Sequence, residues 1–231
     1  EGRYGVQVLH GWGMTEMSPL GTVCALKAGH EDLPEADLLA IKATQGRAIY
    51  GVDMKIIDAA GQELAWDGTS TGELLVRGPW IMQSYFNRDE DPLVKNAAGL
   101  GWFPTGDVAA ITPEGYMHIT DRTKDVIKSG GEWISSIDLE NIAMGHPAVA
   151  MAACIAAHHP KWDERPLLVV MTKPGKTVTR DEILATFEGR VARWWVPDDV
   201  VFTDSIPLGA TGKMQKMTLR QQLADYKLPG L

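Results

Sequence analysis

The segment "GWGMTE" near the start of the chain combines groups that can contact a planar ring, a phosphate and a metal ion. Trp12 can stack on a ring, Thr15 can hydrogen-bond a phosphate, and Glu16 can hold Mg²⁺, which prefers a few carboxylates together with phosphate oxygens. Gly11 and Gly13 carry no Cβ and let the backbone approach a ligand closely. The run suits neither a helix nor a strand, so we expect a tight turn. A glycine turn in which Trp12 only fills the core is the alternative.

A second group of candidates begins at Thr105-Gly106-Asp107, where a carboxylate is expected at a glycine turn just before an apolar strand. A carboxylate so placed can accept two hydrogen bonds from a ribose diol. Downstream, Arg122, Lys124 and Lys128 fall close together, and "KSGG" joins a cation to a backbone that can bind an anion. An ordinary turn aspartate and a solvated, charged hairpin are the alternatives.

Lys213 follows a glycine in the loop before the last predicted helix, where its amine can reach a phosphate or carboxylate as a point charge. A plain surface lysine is the alternative. The histidines show no metal-ligand spacing, and the two cysteines, Cys24 and Cys154, lie in separate apolar segments. We expect two buried thiols in a reducing cytoplasm rather than a disulfide.

The elements that hold these residues change in character near Asp121. From Gly46 to Thr120, Gly and Pro interrupt short strand-like segments, which predicts a small β-barrel or sandwich. Capping signals at Ser135 and Thr179 predict two later helices, the second continuing through Val191. The runs "VAMAACIAA" and "PLLVVMTKP" predict strands beside them, so the part after Asp121 is expected to be a compact α+β domain.

The bulk composition excludes some classes of partner. The chain has 231 residues and a formal net charge of −8, so no general basic field exists to gather nucleic acid. The longest apolar run is far shorter than the roughly 18 residues of a membrane-spanning helix, so no transmembrane segment is expected.

The order of five motifs is more specific than any one of them. They are "GWGMTE", "GELLVRGP", "GWFPTGD", "DRTKDVIKSGGEWIS" and "TGKMQK". In this order they resemble the acyl-adenylate-forming superfamily. Within it, "HGWGMTEMSPLGT", "GGEWISS" and "WWVPDDV" are similar to the fatty-acyl-CoA ligases, the medium- and long-chain acyl-CoA synthetases.

The resemblance implies an α+β fold in two parts. Residues 1–120 would be the end of a large N-terminal domain, with the nucleotide-site loop and a small β-barrel-like subdomain. Residues 121–231 would be the compact, mobile C-terminal lid domain of AMP-binding enzymes. The implied reaction uses ATP, Mg²⁺ and coenzyme A. A carboxylic acid reacts with ATP to give an acyl-adenylate and pyrophosphate, and coenzyme A then takes the acyl group as a thioester and releases AMP.

The resemblance also implies roles for individual residues. The nucleotide and its metal ion would be bound by Gly11, Trp12, Thr15, Glu16, Asp107, Arg122 and Lys128. Within that set Thr15 would contact the α-phosphate, Glu16 the Mg²⁺ and Asp107 the ribose. The coenzyme A arm would pass Gly130, Gly131 and Trp133. Lys213 would stabilise charge during adenylation, together with Thr15 and Glu16 as catalytic residues, and Asp121 would be the hinge between the two domains.

The first residue is Glu1, and the phosphate-binding loop that belongs upstream of "GWGMTE" in this family is not in the sequence. We therefore expect a C-terminal fragment of a longer enzyme, inactive alone. Three alternatives stay open, namely a domain that loads a carrier protein, a luciferase-like oxidase and a non-catalytic binding module. A homodimer is possible, and the length of the acyl chain cannot be read from these residues.

Overall fold

The computed structural model describes residues 3–210 and 212–230. The chain is rich in strands, with few helices, and divides into two compact units, Glu1–Thr123 and Lys124–Leu231. The α+β prediction is confirmed, while the predicted domain boundary after residue 120 stays a prediction. Within the described residues, no helix combines the length and apolar character needed to cross a bilayer.

The first unit opens with a small antiparallel sheet of strand order β1-β2-β3. Its strands are β1 Gly11–Gly13, β2 Leu20–Val23 and β3 Arg47–Ala48. Helix α1, Glu35–Ala43, precedes β3, and Thr15–Met17 form one turn of 3-10 helix between β1 and β2. The turn expected at the first two glycines is therefore wrong in part. Gly11 and Trp12 extend and pair with β2, and the chain turns only at the 3-10 helix.

A second sheet in this unit is antiparallel and open. Its strands are β4 Asp53–Ile57, β5 Gly72–Arg77, β6 Val94–Lys95, β7 Gly101–Ile111 and β8 Met117–Arg122. The order is β4-β5-β7, and β6 and β8 both pair with β7. Among the described residues these pairings do not close on themselves, so the predicted barrel-like closure is not confirmed. Ile56, Leu74 and Ile111 are fully buried in its core.

The long strand β7 carries a bulge at Thr105-Gly106-Asp107. Glu73 pairs with Val108 and Leu75 with Pro104, so two steps along β5 face four steps along β7. Gly106 takes the left-handed region, φ +74°, which the bulge requires. The prediction of a turn ahead of the strand is wrong here, because β7 begins at Gly101 and continues through the bulge.

The second unit is built on one five-stranded sheet. Its strands are β9 Ile127–Ser129, β10 Glu132–Ile134, β11 Val149–His159, β12 Asp163–Thr172 and β13 Asp199–Phe202. The order is β10-β9-β12-β11, and β13 runs parallel to β12. Both predicted apolar strands are present as β11 and β12.

Three helices pack with this sheet, and their starts match the predicted capping signals in two cases. They are α2 Ser136–Met144, α3 Arg180–Ala185 and α4 Lys216–Gln222. Ser135 caps α2 by accepting from the Asp138 N–H, and Thr179 forms a capping box with Glu182. The predicted length of α3 is wrong. The helix ends at Ala185, and Gly189, four residues later, takes the left-handed region with φ +69°.

Both faces of the β11–β12 pair are buried, which explains their unbroken apolar runs. Cys154 and Leu168 face one core with Phe187, whereas Ile155 and Leu167 face another, in line with the two-residue period of a strand. The predicted burial of the thiols at Cys24 and Cys154 is confirmed.

Candidate functional site

Close packing explains two glycines beside Trp12, namely Gly13 and Gly21. A Cβ on Gly13 would lie 1.9 Å from the Pro19 carbonyl oxygen, and one on Gly21 would lie 2.8 Å from the Trp12 ring. Neither position has room for a side chain. Trp12 itself is half-buried and packs beside the core of the open sheet.

Asp107 contacts two other residues that are predicted to bind the nucleotide, Trp12 and Arg122. Trp12 Nε1 donates to Asp107 Oδ2 at 3.1 Å, and Arg122 Nε lies 2.9 Å from Asp107 Oδ1. The bulge is held by Thr105, whose Oγ1 donates to the Leu74 carbonyl and accepts from the Asp107 N–H. The Asp107 side chain is 4% exposed and that of Arg122 is 50% exposed, so the carboxylate lies below a cation that reaches solvent.

Burial shifts the pKa of this carboxyl group. Desolvation raises the pKa of Asp107 above its ordinary value, and the Arg122 charge and the Trp12 N–H bond oppose that rise. A partly desolvated carboxylate with a fixed orientation is suited to accept hydrogen bonds from a diol, because little reorganisation is needed on binding.

Thr15 and Glu16 follow directly in the same loop. Thr15 is exposed, and Glu16 is half-exposed, with its Oε1 accepting from the Tyr85 hydroxyl at 3.0 Å. The Glu16 backbone carbonyl accepts from the Met82 N–H at 2.9 Å. The pKa of Tyr85 is raised, mainly by desolvation and secondly by the Glu16 carboxylate. The Tyr85 hydroxyl therefore stays protonated and donates.

Asp121, the predicted hinge, lies in β8 opposite Val108 and is 1% exposed. Its Oδ1 accepts from the Arg122 backbone N–H at 2.7 Å. Arg122 lies opposite Asp107 in the same ladder, so strand β8 positions both Asp121 and Arg122.

The second unit brings together the residues predicted to line the coenzyme A path. β9 and β10 form a hairpin closed by Gly130 and Gly131, both with positive φ, as a tight two-residue turn needs. Lys128 and Trp133 face each other across the hairpin, with the Lys128 Nζ 5.8 Å from the indole centroid.

A cavity of about 490 Å³ adjoins this turn. Its lining residues are Ser129, Gly130, Glu132, Trp162, Arg165, Trp194 and Asp198. Trp162 is 42% exposed and Trp194 is 45% exposed, so both indoles are available at its rim. The Arg165 guanidinium donates to the Asp198 carboxylate at 2.6 Å and to the Trp194 carbonyl at 2.6 Å, which fixes one wall.

Lys213 lies exposed on the loop between β13 and α4. The Gly209 N–H donates to the Lys213 carbonyl at 2.8 Å, and the Gln215 N–H donates to the Pro207 carbonyl at 2.8 Å. The loop is therefore a closed hairpin. Thr211, which the motif "TGKMQK" includes, lies outside the described residues.

Tyr85, Trp162 and Arg165 were missed by the sequence reasoning. Tyr85 sits in a stretch of turn-forming residues with no spacing signal to Glu16. Trp162 follows "HHPK", and the proline and lysine just before it were the available signal of an exposed turn. Arg165 lies in a strand whose other residues are mostly apolar, and a lone cation in such a strand was the available signal.

Two family models match this chain. Residues 1–86 match the AMP-binding enzyme model, and residues 138–213 match the AMP-binding enzyme C-terminal domain model. The chain belongs to the AMP-binding enzyme family. The second match falls wholly within the second compact unit, and the first falls within the first.

Curated relatives of this AMP-binding enzyme chain are CoA ligases. It is 52% identical over 223 residues to the 3-methylmercaptopropionyl-CoA ligase of Ruegeria pomeroyi, covering 96% of this chain and 41% of the relative. It is 47% identical over 225 residues to the medium-chain-fatty-acid–CoA ligase of Ectopseudomonas oleovorans, covering 97% of this chain and 40% of the relative. The chain therefore spans about two fifths of the length of the curated relatives it matches.

Solved structures of similar fold include nucleotide complexes. The ATP-bound MatB of Rhodopseudomonas palustris matches with a TM-score of 0.78 and 28% identity, over 96% of this chain and 42% of that one. The o-succinylbenzoate CoA synthetase MenE of Bacillus subtilis, in complex with its acyl-adenylate intermediate, matches with a TM-score of 0.75 and 29% identity, over 99% of this chain and 43% of that one.

Proposed function

We propose that the whole protein carrying this chain is an ATP-dependent carboxylic acid–CoA ligase that works through an acyl-adenylate. The observation that carries the proposal is the Asp107 site, a desolvated carboxylate with a fixed orientation, linked through Trp12 to the loop of Thr15 and Glu16. The CoA ligases among the curated relatives support the same reaction.

In the first half-reaction, a substrate carboxylate oxygen attacks the α-phosphorus of ATP, and the bond to the bridging oxygen of pyrophosphate breaks. Asp107 would accept hydrogen bonds from the ribose hydroxyls, with Arg122 beside it. Thr15 would donate its hydroxyl to the α-phosphate, and Lys213 would offset the charge that develops there. Such displacements depend mainly on positioning and on charge stabilisation, which these groups supply.

A Mg²⁺ ion would be held by Glu16. Magnesium is commonly bound through one or two carboxylates plus phosphate oxygens, and Glu16 is half-exposed, with the Tyr85 hydroxyl donating to Oε1. When bound, the ion supplies positive charge to the phosphates. Tyr85 would orient the carboxylate for that contact.

In the second half-reaction, the thiol of coenzyme A attacks the acyl carbonyl carbon, and AMP leaves. Lys128, Gly130, Gly131 and Trp133 would lie along the path of the thiol arm, and Lys128 would contact the adenylate. The cavity beside the hairpin supports this, because Trp162 and Trp194 offer faces on which a purine can stack. We further propose Asp121 as the hinge that lets the second unit present Lys213 in one step and the hairpin in the other.

The relatives also support a substrate class. The similarity to 3-methylmercaptopropionyl-CoA and medium-chain ligases favours a short to medium aliphatic acid, with a thioether tolerated in the chain. The buried thiols support a reducing compartment such as the cytoplasm. A homodimer stays a prediction.

The decisive experiment measures pyrophosphate release and thioester formation by the whole protein. A panel would contain 3-(methylthio)propanoate, hexanoate, octanoate and palmitate, each with ATP and Mg²⁺, with and without coenzyme A. We expect acid-dependent pyrophosphate release and a CoA thioester as the product. If a carrier protein were acylated in preference to coenzyme A, the protein would be a carrier-loading enzyme and not a CoA ligase. If no acid caused pyrophosphate release, adenylation itself would be refuted.

A further inference from the structure

A buried ion pair lies at the base of the Lys213 loop. Lys216 Nζ is 2.6 Å from Glu140 Oε1 and 2.7 Å from Ser136 Oγ. Lys216 is 9% exposed and Glu140 is 4% exposed. The pair is thus removed from solvent, unlike the exposed amine of Lys213 three residues earlier.

The pair joins two elements that carry the predicted chemistry of this unit. Lys216 is the first residue of α4 and follows the closed loop that presents Lys213. Glu140 lies in α2, which begins directly after the hairpin strand β10. Glu140 Oε1 also accepts from the Cys154 N–H at 2.8 Å, which ties α2 to β11, the strand at the end of the sheet order.

Stability alone is a weak reason for such a pair. Taking two charges out of water costs about as much as their attraction returns, and apolar residues of similar volume often serve as well. A buried pair does fix geometry, because a displaced partner would leave a charge buried and uncompensated. Here the pair holds the first residue of α4 in place. It therefore also fixes the end of the loop that carries Lys213.

We propose that Lys216 and Glu140 are positioning residues, which hold the Lys213 loop in the orientation needed for acyl-adenylate formation. The inference rests on the proposed function of Lys213. It assigns Lys216 no contact with substrate, and it requires that loosening the pair slow the first half-reaction selectively. Thioester formation from a supplied acyl-adenylate does not use Lys213 and should be spared.

The test compares both half-reactions in the whole protein with the double variant Lys216→Met, Glu140→Gln. Methionine keeps about the length of the side chain without its charge, and glutamine keeps an acceptor for the Cys154 N–H, so no lone charge is buried and that backbone N–H keeps its partner. We expect pyrophosphate release to slow about tenfold to a hundredfold, as for a catalytic group misplaced by about an ångström. Thioester formation from supplied acyl-adenylate should stay within twofold.

A matched control exists on the same helix. Arg220 Nη2 pairs with Asp125 Oδ1 at 2.7 Å, and this partly buried pair also docks α4. The variant Arg220→Gln, Asp125→Asn should affect both half-reactions alike. Thermal unfolding of each variant reports the stability change separately, and Lys216→Arg, which keeps the cation, should retain most of the adenylation rate. If the double variant does not fold, Glu140→Gln alone, which weakens the pair and keeps an acceptor for the Cys154 N–H, takes its place.

The outcomes separate this inference from the proposed function. If Lys213→Ala abolishes adenylation but the folded Lys216 and Glu140 variant adenylates at the parent rate, the positioning role is wrong and the function stands. The same holds if both half-reactions fall together in the double variant, or in Glu140→Gln. If Lys213→Ala itself leaves adenylation unchanged, the role proposed for Lys213 fails and the positioning inference fails with it.

Discussion

Trp12 donates its indole N–H to Asp107 across 95 positions of sequence. The bond connects a glycine-flanked strand to the bulge in β7, and Arg122 reaches the other oxygen of the same carboxylate. Two strands that are far apart in the chain, β1 and β8, therefore contact one buried carboxylate.

Replacing Asp107 by Asn should weaken adenosine and ATP binding about tenfold to a hundredfold, because charge-assisted hydrogen bonds to the ribose would be lost. Isothermal titration of the whole protein measures the affinity. Thr120→Ser is a suitable control, since it lies in β8 near Arg122 and keeps its hydroxyl. If the Asp107→Asn variant bound adenosine and ATP with unchanged affinity, Asp107 would have only a structural role in the bulge.

Adenosine binding should also weaken in acid. Burial raises the pKa of Asp107 above its ordinary 3.8, so the carboxyl group takes up a proton at a higher pH than a solvated aspartate does. Protonation removes acceptor capacity, so affinity is full well above the raised pKa and falls as the pH drops through it. Adenosine avoids the titration of phosphate groups, and the Asp107→Asn variant should show a flat profile over the same range.

Lys213→Ala should abolish adenylation while leaving thioester formation from a supplied acyl-adenylate largely intact. Removing one preorganised charged contact to a developing negative charge typically costs about two to three decades in rate. Pyrophosphate release and thioester absorbance follow the two steps. Lys176→Ala, an exposed lysine of the same unit, is the control, and survival of both half-reactions in Lys213→Ala would contradict the assignment.

Trp162→Ala should raise the KM for coenzyme A about tenfold and leave pyrophosphate release unchanged. The expected size follows from the stacking free energy of about 1–3 kcal/mol per base on an aromatic side chain. Trp66, at 38% exposure in the first unit, offers a control of similar exposure. An equal loss in both half-reactions would show that Trp162 serves the packing of the unit instead.

Tyr226 should make the second unit sensitive to alkali. Its hydroxyl donates to the Asp199 carboxylate, which raises the pKa of Tyr226 to about 12 from 10.0. Because the folded state keeps the phenol proton to a higher pH, this stabilisation is full below pH 10 and is lost as the pH rises through about 12. Tyr226→Phe should lower the free energy of unfolding by about 1–2 kcal/mol at pH 8. The difference from the parent should shrink as the pH approaches 12, and a constant difference would be evidence against the bond.

The sequence determined the α+β class, the caps of α2 and α3, the burial of the strands β11 and β12, and the family. These depend on local patterns: a capping side chain reaches a backbone N–H three residues away, and a doubly buried strand needs an unbroken apolar run. The early end of α3 at Ala185 was missed, since its periodic apolar face continues to Phe187 and Val191 without helical backbone.

Only the tertiary structure decided which distant residues meet. The strand at Gly11–Gly13 and the bulge at Asp107 form because neighbouring strands supply the partners of their backbone groups, and no local propensity encodes that pairing. The contacts of Tyr85 with Glu16 and of Lys216 with Glu140 join side chains 69 and 76 positions apart. Such contacts follow from sheet register and helix docking, where the favourable free energy comes from the burial of the whole core rather than from the two residues themselves.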